Sequence, residues 1–292
     1  MNRREFLSRS VVLGPLGLLG GRCLCGVEPA ARQIHLGLVT YNLARNWDLE
    51  TIIRRCEAHG FARVELRSSH KHGVEPSLGP EERRRVRDRF AGSAVRVISL
   101  GSACEYHSAD PARLREQKEL TREFIRLAKD VGAAAVKVRP NGLPAEVPVE
   151  HTLRQIGDSL RELAAWSSGE GHGIELWLEV HGSGTSHVPH IRTIMERAYH
   201  PLVGVTWNCN ESDLINGSCR ENWMLVHRWV RALHIHDLWD PGQYPWRELF
   251  ALLGETRWGG NALWERGGEA DDPDAAMARQ RQAFEELVKL AL

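Results

Sequence analysis

Glu179, Asn208, His234 and Glu265 each stand at or just past the C-terminal end of an apolar, strand-like run, and they follow one another at intervals of 29, 26 and 31 residues. Such an interval is one strand plus one helix. Every strand of a closed parallel barrel ends on the same face, so residues spaced this way converge on a single site. Two carboxylates, an imidazole and an amide oxygen meeting there can hold a divalent metal ion. The spacing predicts a metal-assisted barrel enzyme.

The elements that must position these residues are legible as a repeat. After residue 30, runs rich in Val, Ile and Leu alternate with amphipathic stretches, the pattern of parallel βα units. Strands are predicted near 34–39, 63–67, 95–100, 135–139, 174–180, 203–207, 232–236 and 262–265. Eight such units make an α/β fold, a single (β/α)8 barrel over residues 31–292. Asp48 opens a helix that His59-Gly60 closes, and Asp110-Pro111 opens a long one that ends near Val131-Gly132. Loops 68–77, 101–108 and 140–148 follow strands and belong on the rim, where a barrel presents its binding residues.

Composition bounds the partners. Of 292 residues 42% are hydrophobic, enough for a large core, and Lys plus Arg equals Asp plus Glu at 38 each. With no net positive field, nucleic acid is not expected as a partner. Residues 1–30 stand apart, because Asn2-Arg3-Arg4-Glu5-Phe6-Leu7 opens an apolar, Gly-rich stretch from Val11 to Gly21. This resembles a twin-arginine export signal, which implies an exported, periplasmic protein, folded and metal-loaded before transport. The apolar stretch is too short to span a bilayer, and neither Cys23 nor Cys25 sits in a lipoprotein pattern, so no membrane anchor is expected. Cys56, Cys104, Cys209 and Cys219 show no paired metal spacing and read as free buried thiols.

The segments Leu176-Trp177-Leu178-Glu179-Val180-His181, Ala232-Leu233-His234-Ile235-His236-Asp237 and Leu263-Trp264-Glu265 closely resemble strand ends of the xylose-isomerase-like TIM-barrel family of sugar isomerases and epimerases. The resemblance covers nearly the whole chain after residue 30. It implies one divalent metal (Mn, Mg, Co or Zn) held by Glu179, Asn208, His234 and Glu265. It also implies a small sugar or keto sugar as substrate. Asn208 stands where the family usually has Asp, which removes one negative charge from the ligand set. Glu211 could restore that charge, and Asn210 is an alternative ligand.

By the same resemblance Glu179 and Glu265 are both ligands and the acid/base pair. The metal polarises a carbonyl, one carboxylate takes a proton from the adjacent carbon and the other returns it. The structural alternative pairs these glutamates with Arg139 or Arg266. His234 and His236 alternate along a strand, so His236 is read as a third catalytic group facing the barrel interior, as a partner that orients His234, or as a core residue. His181, Lys137, Arg139 and Asn141 are candidate substrate contacts, with a plain Lys137 or Arg139 salt bridge to Glu179 as the alternative. Glu65, paired on one face with Arg67, and His72, from the loop sequence Ser69-His70-Lys71-His72-Gly73, complete the candidates. Trp47, Trp207, Trp239, Trp246, Trp258 and Trp264 fall near strand ends, where some can stack on a sugar and others must be core.

The expected reaction is isomerisation or epimerisation of a sugar. Elimination from a 3-keto-glycoside begins with the same proton abstraction and is the second reading. A sugar-binding barrel without turnover is the third. An abasic-site endonuclease of similar barrel is disfavoured, because the additional ligands for its three zinc ions are missing. No Gly-rich phosphate cradle is evident, which leans toward an unphosphorylated substrate. Monomer and homodimer are both compatible with the sequence.

Overall fold

The structure, a computed structural model, describes residues 33–292. The reading of residues 1–30 as an export signal lies outside the described residues. Eight strands, β1 (Ile34–Val39), β2 (Arg63–Arg67), β3 (Arg96–Glu105), β4 (Ala135–Arg139), β5 (Glu175–Glu179), β6 (Val203–Trp207), β7 (Val230–Ile235) and β8 (Gly260–Trp264), pair in parallel and in chain order. β8 returns to β1, closing the predicted (β/α)8 barrel. The helices α1 (Leu49–Ala58), α2 (Pro80–Ala91), α3 (Pro111–Val131), α4 (Val149–Gly169), α5 (Val188–Ala198), α6 (Arg220–Val226), α7 (Trp246–Glu255) and α8 (Pro273–Val288) alternate with the strands.

Local chemistry sets the helix ends. The Asp48 carboxylate accepts the Thr51 N–H at 2.9 Å and starts α1, whose Ile52, Ile53 and Cys56 form the buried stripe. Asp110 caps α3 in the same way, Pro111 takes the first helical position, and Gly132 at φ 80° ends it in the left-handed conformation that glycine adopts without penalty. Most strand boundaries fall within two residues of expectation, and two strand ends bear on the site. β3 continues through the predicted loop as far as Glu105, because Glu105 pairs with Arg139 of β4. β7 stops at Ile235, one residue short of His236.

Two apolar layers result. The larger core lies between the barrel and its helices. A smaller cluster of Val39, Ala135, Trp177, Ala232 and Leu263 fills the barrel interior, as parallel strands buried on both faces require. Trp207 and Trp264 are fully buried, and Trp246 and Trp258 nearly so, which places four of the six singled-out indoles in the core. Cys56, Cys104, Cys209 and Cys219 are buried free thiols.

Candidate active site

The site is the next interior layer above that apolar plug. Side chains two apart on a strand share a face, so Lys137 follows Ala135, Glu179 follows Trp177, His234 follows Ala232, Glu265 follows Leu263 and Tyr41 follows Val39. One step further up stand Arg139 and His181. Together with Arg67, Asn208 and Asn210, the residues Tyr41, Lys137, Arg139, Glu179, His181 and Glu265 line a cavity of about 240 Å³. None of the tryptophans lines it, and its aromatic surface is Tyr41. A larger hollow of about 610 Å³ between α7 and α8, bordered by Trp239, Trp246 and Arg279, lies elsewhere. Among the described residues, the metal-type donors converge at Glu179, His234 and Glu265.

Their geometry centres on one imidazole. His234 Nδ1 stands 3.1 Å from Asn208 Oδ1 and 3.4 Å from both Glu179 Oε1 and Glu265 Oε2. Donor atoms sharing one ion at about 2.1 Å lie roughly 3.0–3.4 Å apart, so this set fits a divalent metal. Asn208 occupies the fourth corner with an oxygen turned to the ring, which is what ligation by an amide requires. Glu211 is exposed, lies outside the cavity lining and does not restore the missing charge there.

The electrostatics match a site that expects a cation. Burial alone would lower the His234 pKa, but the Glu265 and Glu65 carboxylates and hydrogen bonding to Glu179 outweigh it and hold the ring well above its usual range. In Glu179 burial opposes ionisation, while Lys137 and His234 overcome it and keep the carboxyl well below the usual range. Lys137 Nζ donates to Glu179 Oε2 at 2.8 Å, both side chains being buried, so the anticipated salt bridge is present within the cavity wall. Glu265 makes no salt bridge with a lysine or arginine among the described residues, and its side chain is 14% exposed against 4% for Glu179. Of the two glutamates it has the greater freedom to move a proton.

His181 carries a defined tautomer. The Asn141 amide donates to the Glu105 carboxylate, which turns the Asn141 oxygen toward His181 Nδ1 at 3.0 Å. Nδ1 is therefore the protonated nitrogen and Nε2 is left to accept. Burial, reinforced by Arg139, lowers the His181 pKa and favours this neutral ring. Gly182 at φ 92° makes the arrangement possible, since a Cβ there would stand 2.6 Å from the Asn141 Cα. Asn141 thus orients His181 from behind and is not itself part of the cavity lining.

Three other candidates take different places. Glu65 is fully buried beneath the site and cannot touch substrate; it faces His234 Nε2 at 3.4 Å and accepts from Ser99 Oγ at 2.7 Å. Gly101 makes room for it, because a Cβ there would lie 2.8 Å from Glu65 Oε1. His72 is a loop staple: Nε2 meets the Arg67 carbonyl at 2.9 Å and Nδ1 accepts the Val74 N–H at 3.1 Å, so both ring nitrogens are occupied by backbone. His236 lies past the end of β7 and, unlike Tyr41, His181 and Glu265 past the ends of their strands, does not line the site. Its Nδ1 donates to the Glu265 carbonyl at 3.0 Å, and the ring borders a separate cavity with Gln243 and Arg266. Tyr41 and Asn210 line the site although neither had been expected to contact substrate. For Tyr41 the signal was its place two residues beyond Val39.

Asn210 is held by Asp213, whose Oδ2 accepts the Asn210 N–H at 2.9 Å while Oδ1 is buried without a partner. Burial pushes Asp213 up to about 7 from 3.8. The folded state therefore retains a proton that the unfolded chain has already lost between those values. Stability from this group is full below about pH 4 and declines by about 1.4 kcal/mol per unit up to pH 7, roughly 4 kcal/mol in all. Asp213→Asn, which cannot ionise, is expected to gain on wild type as pH rises from 4 to 7. Urea midpoints compared at pH 5 and pH 8 check it, and an unchanged gap between the two proteins would refute it.

Residues 53–287 match the family model described as xylose isomerase-like TIM barrel. Among solved structures, an L-ribulose 3-epimerase is 15% identical, with 89% of this chain and 95% of that one covered at a TM-score of 0.72. The IolI protein with a bound zinc atom is 16% identical, with 88% and 99% covered and a TM-score of 0.70. The 3-keto-D-glucoside 4-epimerase YcjR from E. coli is 13% identical, with 88% and 100% covered at 0.69. At these identities the likeness is one of fold. No curated protein matches the sequence.

Proposed function

This chain belongs to the xylose isomerase-like TIM barrel family, and on that premise we propose that it isomerises or epimerises a small sugar or keto sugar by moving a proton on the carbon beside a carbonyl. The observation that carries the reading is the convergence of Glu179, Asn208 and Glu265 oxygens on His234 Nδ1 at 3.1–3.4 Å. A divalent ion held by these four residues would polarise the substrate carbonyl and acidify the neighbouring C–H. Glu265, the more accessible carboxylate, takes that proton. Glu179 lines the same cavity, and the proton it returns comes from the Lys137 ammonium that donates to its Oε2 at 2.8 Å, so that turnover leaves Glu265 protonated and Lys137 neutral until exchange with solvent resets both. His181 Nε2 accepts a substrate hydroxyl, its orientation fixed by Asn141 and Glu105. The zinc atom, the L-ribulose and the 3-keto-D-glucoside named for the structural neighbours define where to begin.

The test is solvent deuterium exchange followed by proton NMR. Manganese-loaded protein in D2O should place label at one carbon of one member of a panel of ketoses and 3-keto-glycosides, and chelation by EDTA should stop it. Loss of a leaving group together with label would turn the assignment to elimination. Absence of exchange from every sugar, with manganese bound, would defeat the proposal.

A further inference from the structure

We propose that the substrate carries an oxyanion, a carboxylate or a phosphate, and that Arg67 and Arg139 hold it at the mouth of the metal site. The inference rests on the isomerase reading but concerns binding, so it can fail separately. Arg67 ends β2 and Arg139 ends β4, each two residues above a buried charged side chain, Glu65 and Lys137. Both line the cavity that contains Glu179, His181, Asn208 and Glu265. Several arginines on the outer surface are paired, as in Arg89 with Glu50, Arg197 with Asp158 and Arg220 with Glu255. Neither cavity arginine has a carboxylate within salt-bridge distance among the described residues. Arg139 Nε is buried with no hydrogen-bond partner, and the Arg67 guanidinium lies over the Tyr41 ring at 5.2 Å.

Holding an unpaired guanidinium in a concave site sacrifices hydration, and a neutral hydroxyl compensates for that less well than an anion. The planar fork of arginine matches carboxylate and phosphate oxygens. The charge balance points the same way. With a divalent ion bound and His234 neutral as its ligand, the ion, Lys137, Arg67 and Arg139 exceed Glu65, Glu179 and Glu265 by two positive charges. Asp at position 208 would have cancelled one of them. An anionic substrate supplies negative charge that Asn208 withholds, which gives this departure from the family pattern a function. The Gly-rich phosphate cradle that the sequence lacks is not needed when two guanidinium groups line the cavity.

The experiment is titration calorimetry on manganese-loaded protein with three matched probes: D-fructose, 2-keto-D-gluconate, which differs by a carboxylate at one end, and D-fructose 6-phosphate. At least one anion should bind about tenfold or more tightly than D-fructose. Its identity separates the carboxylate source from the phosphate source. In Arg67→Gln and Arg139→Gln the advantage should collapse toward that of the neutral sugar, with manganese affinity and melting temperature retained. If either variant fails to fold, the salt dependence of the wild-type advantage replaces it, since an ion-pair preference weakens as ionic strength rises. Equal affinity for all three probes overturns the inference, as does an anion preference that survives both substitutions or is insensitive to salt. Arginine-dependent anion binding without deuterium exchange would leave this subsite standing and remove the isomerase reading instead.

Discussion

Glu265→Gln is expected to lower the rate of deuterium exchange by about 10²- to 10⁴-fold, the usual contribution of a positioned general base. The amide keeps an oxygen near the position of Glu265 Oε2, 3.4 Å from His234 Nδ1, but cannot take a proton. Asn208 already shows that an amide can face this imidazole. The variant should therefore fold and bind manganese, more weakly for the lost charge. No buried lysine or arginine is stranded, because Glu265 has no such salt-bridge partner among the described residues, and His234, which loses one of the carboxylates that raise its pKa, is left closer to the neutral form a metal ligand needs. Exchange rates measured at saturating manganese, with metal content determined on the same sample, separate lost chemistry from lost metal. Exchange within about threefold of wild type at full metal occupancy would exclude Glu265 as the base, since it falls far below the expected range.

The barrel and the convergence of Glu179, Asn208, His234 and Glu265 were legible because both follow from periodicity. One strand plus one helix sets the spacing along the chain, and a closed parallel sheet brings every strand end to one face. What periodicity cannot convey is height along the barrel axis. Glu65 has the inward parity expected of a substrate contact, yet it lies below the metal donors because it enters the ladder opposite Ser99, deep in β3. His236 has the parity of His234, but beyond the end of β7 its ring is tied to the Glu265 carbonyl and borders another cavity. His72 was suggested by the His-x-His spacing of a rim loop, and its nitrogens serve the loop backbone. The alternatives left open for Lys137 resolve into both at once, an ion pair with Glu179 and a place in the cavity wall. The free state of Arg67 and Arg139 could not be read from sequence, since pairing depends on distances between strands.

Lys137→Met is expected to destabilise the metal-free protein by about 3–5 kcal/mol, the cost of leaving one member of a buried ion pair without the other. Lys137 is 1% exposed and Glu179 3%, so water cannot replace the lost ammonium. Methionine preserves most of the apolar stem, which confines the effect to the charge. Glu179 then faces burial with His234 as its remaining nearby cation, and its pKa should rise from the depressed value that Lys137 maintains. Glu179 in wild type contributes stability above the unfolded carboxylate range and loses it as pH falls through the depressed folded value, whereas in the variant that contribution shrinks at neutral pH. Manganese should repair much of the damage, because the ion restores positive charge next to Glu179 when held by the site. Urea unfolding of both proteins in EDTA and in manganese therefore gives a two-way comparison: the gap between wild type and variant should be wide in EDTA and narrow in manganese. An equal gap under both conditions would mean that Lys137 acts through packing alone and that the metal is not bound beside Glu179.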